Sequence, residues 1–147
     1  MIGRSALVIL IVSAFLFVWG CGWKTSCYPG LIAEWELHRL DAPPYHGKEV
    51  DYICYHLTIE EQSEDGLFYG KMCETGVVYD DGTEHWAIFP QAKDIENAGF
   101  DANLREVMFE WTDLLFEGEV NHHTPPDHMS GFWTVGWLVG EWQAWKQ

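Results

Sequence analysis

From residue 31 onward, apolar and polar side chains alternate along most of the chain. In AEWELHR, Trp35 and Leu37 alternate with Glu34 and Glu36; in REVMFEW, Val107, Phe109 and Trp111 fall in one phase and Glu106, Met108 and Glu110 in the other. Period two describes a strand with one buried and one wet face, whereas a convincing helical period appears almost nowhere. Turn-rich stretches punctuate the pattern: DAPPYHG, QSEDG, DDG at 80–82, PQAKDIENAGFDAN, NHHTPPDHMSG and the bend at Gly136. Strands are predicted near 31–40, 50–60, 67–74, 76–80, 83–89, 104–112, 114–120, 129–135 and 138–145; the first candidate helix, 91–98, is too short and polar to change the class. The fold class is all-β. Eight or nine short strands joined by tight turns predict an antiparallel up-and-down meander over residues 31–147. Such a sheet protects its edges by curling into a closed barrel, with a β-sandwich as the competing architecture. On the barrel reading, the last strand hydrogen-bonds to the first.

The opening twenty residues break this pattern. Arg4 and the amino terminus supply positive charge, and residues 6–19 are apolar apart from Ser13. That run has the length of a signal peptide rather than of a comfortable membrane span, which needs about 20 apolar residues. It ends in Val18-Trp19-Gly20-Cys21, which resembles a bacterial lipobox. The resemblance implies a signal peptide at 1–20, acylation of Cys21, and a lipidated tether at 21–30 that holds the domain at the bilayer. Two or more acyl chains are what make such retention stable. Gly22 follows the cysteine where lipoproteins retained at the inner membrane carry Asp, so the resemblance further implies the outer membrane of a Gram-negative envelope. An uncleaved anchor and a plain secreted form are the other uses of the same run.

The closing segment MSGFWTVGWLVGEWQAWK resembles the Ser-Gly-x-Trp-Thr and Gly-x-Trp-x-Ala hairpins that end many small bacterial exported proteins with lipocalin-like or avidin-like meanders. In that comparison Gly131 and Gly140 let strands bend or pack closely, while Trp133 and Trp142 plug or line the barrel ends. Composition narrows the partners. Net charge is −15 over 147 residues, and −16 once Arg4 leaves with the signal; this works against nucleic acid and anionic lipid headgroups. Eight tryptophans in the mature chain demand a packed core and argue against disorder.

With Cys21 acylated, Cys27, Cys54 and Cys73 remain. Folding the second and third strands about residues 62–65 sets Cys54 opposite Cys73, close enough for a disulfide in an oxidising compartment. Catalytic patterns are sparse. Ser26, Ser63 and Ser130 sit in a tether, a turn and a hairpin, and no nucleophile elbow or phosphate loop is present. Glu117 and Glu119 lie about 6.8 Å apart on one strand face, a spacing that a solvated face in an acidic chain also produces. His122, His123, Asp127 and His128 carry zinc- or copper-type donors, but a polar hairpin tip explains them and no metal or cofactor is assigned.

Trp35, Trp86, Trp111 and Trp133 all fall in the apolar phase of their strands, where they either fill a barrel or line a site for one small apolar or sugar-like ligand. The sequence therefore predicts a non-enzymatic, membrane-anchored binding module, with an envelope structural or assembly protein working through protein contacts as the alternative. The anchor is directly testable. Intact mass of the mature protein should begin at an acylated Cys21, and Cys21→Ser should release the domain or stall its precursor; a mature chain still starting at Met1 would exclude the lipid anchor.

Overall fold

The computed structural model describes residues 30–147. The expected signal peptide at 1–20, Cys21, Cys27 and the expected tether before residue 30 lie outside the described residues. Ten strands and no helix make up the described part: β1 (Ala33–Leu40), β2 (Val50–Gln62), β3 (Phe68–Tyr79), β4 (Glu84–Trp86), β5 (Lys93–Asp94), β6 (Glu96–Asp101), β7 (Glu106–Trp111), β8 (Leu114–Val120), β9 (His128–Val135) and β10 (Leu138–Lys146). The sheet runs β4-β3-β2-β1-β10-β9-β8-β7-β6, with β5 paired to β3 and every pairing antiparallel.

The last strand pairs with the first, Trp35 facing Lys146 and Arg39 facing Trp142. The chain ends thus meet inside the sheet, and its break falls instead between β4 and β6. The result is a curled, open barrel. Its gap is stitched by β5, whose Asp94 lies opposite Lys71, by the Leu67–Gly99 bridge, and by N–H groups of Ile95 and Phe100 donating to the carbonyls of Gly70 (3.0 Å) and Gly66 (2.6 Å).

That seam corrects the helix expected at 91–98. The segment is extended, because the edge of β3 on one side and β7 on the other offer its backbone the partners that a short polar helix would have supplied internally. The predicted strands at 67–74 and 76–80 are one strand, β3, with a bulge near its middle, and of 83–89 only Glu84–Trp86 is strand, flanked by backbone hydrogen bonds of Thr83 and Ala87 to β3.

Register also overturns the disulfide. Cys54 lies opposite Gly76 and Cys73 opposite His56, and both thiols are free and buried. The β2–β3 turn is centred later than residues 62–65, closing where Ser63 N–H donates to Leu67 O at 2.8 Å with Gly66 at φ +87°. Bulges between Ile59 and Glu61 and between Cys54 and Tyr55 shift the register in opposite senses, so the turn sets the offset at Cys54. A slip of this size separates two cysteines that a symmetric hairpin would have joined.

Inward residues fill the barrel. Trp35, Leu37, Tyr55, Leu57, Ile59, Phe68, Met72, Phe109, Phe116, Met129, Trp133, Trp142 and Ala144 are all at most 2% exposed. Phe109 and Phe116 stack at 4.9 Å between centroids, and Trp142 meets both edge-on at 5.8 Å. Glycines make this possible. Trp142 lies over Gly118 and Gly131, which face each other across β8 and β9, and its indole N–H is shared between the carbonyls of Glu117 and Phe132, each at 3.1 Å. Trp133 packs across Gly140 on the neighbouring strand and donates to Leu40 O at 2.7 Å. Each indole thus gains a backbone acceptor and a flat bed in one arrangement.

Two consequences are measurable. A methyl at Gly131 would overlap the Glu117 carbonyl oxygen and the Gly118 Cα, both backbone, so Gly131→Ala should cost about 3 kcal/mol, the upper end of ordinary overpacking. Gly82→Ala, which meets no neighbour but sits at φ +83°, should cost only about 1 kcal/mol; urea midpoints of the two variants check the order. In the β3–β4 turn, hydrogen bonds from the Thr83 hydroxyl (2.5 Å) and N–H (2.9 Å), followed by Lys48, hold the Asp81 carboxyl down at about 2. A lowered carboxyl contributes stability above its ordinary pKa and loses it as pH falls towards about 2. The NMR titration of Asp81 should have its midpoint there and move up towards the usual carboxylate range in Thr83→Val.

Candidate functional site

The four tryptophans singled out from sequence are not brought together around one cavity. Trp35 and Trp133 are core, their N–H groups satisfied by Leu31 O (3.1 Å) and Leu40 O. Trp111 is half-buried at the barrel mouth, edge-on to Tyr55 at 5.5 Å. Trp86, on the side strand β4, is 49% exposed and lies over Gly76. The barrel mouth is closed by Arg39, whose guanidinium sits 4.7 Å from the Trp133 ring centre and 5.9 Å from that of Tyr55. Among the described residues, aromatics and Arg39 occupy this part of the interior.

Two outer areas have structure of their own. One is a groove of about 720 Å³ across β6–β9. Its floor includes Gly99, Gly118 and Gly131; the last two take the inward phase beside Trp142, whereas Gly99 lies in the outward phase opposite Met108. Cross-strand register builds the walls in two rows: Gly99, Met108, Glu117 and Phe132 in one, and Asp101, Glu106, Glu119 and Ser130 in the next. Met108 is 42% and Phe132 58% exposed. Asp101, Glu106 and Glu119 stand directly opposite one another, an arrangement that costs energy unless a cation relieves it. Among the described residues, none of the groove's four carboxylates forms a salt bridge. Glu117 and Glu119, noted from their spacing alone, are both part of it.

The other area lies on the outer face of β1 and β2. Glu36 and His38 alternate with the core residues Trp35 and Leu37, and Cys54 faces outward directly opposite His38. His38 Nε2 is 2.6 Å from Glu36 Oε1, and Cys54 Sγ is 3.8 Å from the same oxygen. The His38 ring is held between Tyr52, stacked at 4.1 Å, and the edge of Trp145 at 5.0 Å. Burial, and then the Glu36 charge, push the Cys54 thiol up to about 12, so it is protonated and a poor nucleophile at neutral pH. A cleft of about 320 Å³ opens beside it, lined by Glu34, His56, Thr75 and Trp86 among others. Sequence reasoning missed this group because its members are 18 residues apart; the readable signal was the outward phase of Glu36 and His38 in β1.

The histidine loop does not converge. His123 Nδ1 lies 3.4 Å from Asp127, whose other oxygen is hydrogen-bonded by Asn121, while His128 turns to Gln143 (3.4 Å) and Trp145. Among the described residues, the donor atoms that gather within 4.8 Å are those of Glu36, His38 and Cys54.

Among the described residues, fold and site together define an open antiparallel β-barrel with an aromatic core that carries the acidic groove and the Glu36–His38–Cys54 group on its outer surface. No family of known proteins, no characterised protein and no solved structure matches this chain.

Proposed function

We propose that this chain is an exported, lipid-anchored and non-enzymatic binding module that takes its ligand in the outer groove. The carrying observation is the row of opposed carboxylates, Asp101, Glu106 and Glu119, beside the exposed apolar pair Met108 and Phe132. A surface of four carboxylates without a cationic partner among the described residues, beside an apolar wall, suits a ligand with cationic groups and an apolar face, in particular an extended peptide segment alternating Lys with Leu. Net charge of −15 steers such a ligand from a distance. The volume falls within the ordinary range for ligand sites, about 300 to 1,000 Å³. The anchor reading rests on the Val18-Trp19-Gly20-Cys21 motif, which would hold the module at the envelope through acylated Cys21. Envelope assembly through protein contacts is the second reading, favoured by Ile88, Phe89 and Trp137, which are 85%, 88% and 96% exposed.

Calorimetry on the full chain with a short Lys/Leu-alternating peptide, its neutral Ser/Leu analogue and a neutral oligosaccharide tests the groove. The cationic peptide should bind and the other two should not. Phe132→Ala and the double change Glu106→Gln with Glu119→Gln should each weaken binding about tenfold, equivalent to about 1.4 kcal/mol, and added salt should weaken it further. Equal binding of the oligosaccharide, or peptide binding indifferent to both variants, would overturn the proposal.

A further inference from the structure

We infer that Glu36, His38 and Cys54 form a binding site for one thiophilic divalent cation of the zinc class, separate from the groove and independent of its ligand. Their donor atoms lie within 4.8 Å of one another. Around a tetrahedral zinc, with bonds of about 2.0 to 2.3 Å, neighbouring donors stand about 3.3 to 3.7 Å apart. The Cys54 sulfur, at 3.8 Å from Glu36 Oε1, is already near that spacing, and the Glu36–His38 contact of 2.6 Å needs only to open as a cation replaces the hydrogen bond.

The donors suit the ion. Thiolate and imidazole select zinc-class metals over magnesium or calcium, and one thiolate with one carboxylate balances a charge of two. All three residues sit on paired strands, with His38 Nε2 aimed at the cluster by a ring clamped between Tyr52 and Trp145. Sites built on strands and fixed by packing are preorganised as loop sites are not. A Glu–His ion pair accounts for two members of the group; it does not account for a buried cysteine whose sulfur faces the same carboxylate oxygen. The cleft towards Glu34, His56 and Trp86 leaves the fourth position for water or for His56, which lies directly opposite Glu36. On binding, the sulfur–metal bond forms as the Cys54 S–H bond breaks, and the proton passes to solvent.

The test uses the full chain, reduced and freed of metal by chelator, with Co²⁺ as the spectroscopic probe and Zn²⁺ as competitor. One Co²⁺ should bind with a thiolate-to-cobalt absorption band, release one thiol proton and be displaced by Zn²⁺. Cys54→Ser should abolish the band and His38→Gln should weaken binding at least tenfold, while Cys27→Ser, Cys73→Ser and His123→Gln should leave both unchanged. Circular dichroism checks that each variant folds. Should Cys54→Ser not fold, Zn²⁺ protection of Cys54 against alkylation in the unaltered chain, read by peptide mass, serves instead. A band that survives Cys54→Ser, Co²⁺ bound without a thiolate band, binding lost in His123→Gln, or no protection of Cys54 would each overturn the inference.

Discussion

The structure depends on tryptophans laid over glycines. Trp142 over Gly118 and Gly131, and Trp133 over Gly140, bring the last three strands close enough to share large rings across their inner faces. Each indole N–H finds a backbone carbonyl, so the bulk enters the core without an orphaned donor. A large buried aromatic is worth about 3 to 5 kcal/mol when truncated, against a total stability of about 5 to 15 kcal/mol. Few such contacts therefore decide whether the sheet curls at all.

The same contacts decide where ligands can go. The groove lies on the outer face of the same strands that pack Trp142 inside: Gly118 and Gly131 take the inward phase beside that ring, while Glu117, Glu119, Ser130 and Phe132 flank them on the outward phase. Core and site are thus one design seen from two sides of the sheet. The groove's carboxylates are held in facing rows by strand register rather than by salt bridges; Asp101 accepts the N–H groups of Asn103 and Leu104, which leaves Glu106, Glu117 and Glu119 to face a cationic partner.

The second outer area arises from a different constraint. Pairing of β1 with both β2 and β10 brings together residues from three distant parts of the chain, with His38 opposite Cys54 on one side and Gln143 on the other. The rings of Tyr52 and Trp145, contributed by β2 and β10, then orient His38 towards Glu36. Because these positions alternate with core residues, any register change that moved them would also turn Trp35 and Leu37 out of the core.

Much of this was legible in the residues. Alternation alone set the all-β class and placed Val107 and Phe109 inside, because burial on one face of a pleated strand imposes period two whatever its neighbours; that the terminal strands meet followed from the barrel reading of the meander. The closing Gly and Trp residues announced close strand packing for the same local reason. What the residues could not disclose was register. A β2–β3 turn centred later than residues 62–65 parted Cys54 from Cys73, and the edges of β3 and β7 drew residues 93–101 into strands where local composition suggested a helix. Likewise, Trp86 reads like Trp35 in sequence, yet one lies on an exposed side strand and the other in the core. Periodicity is a property of each strand by itself, whereas the groove and the Glu36–His38–Cys54 group depend on which residues stand opposite. Only the pairing of distant strands sets that.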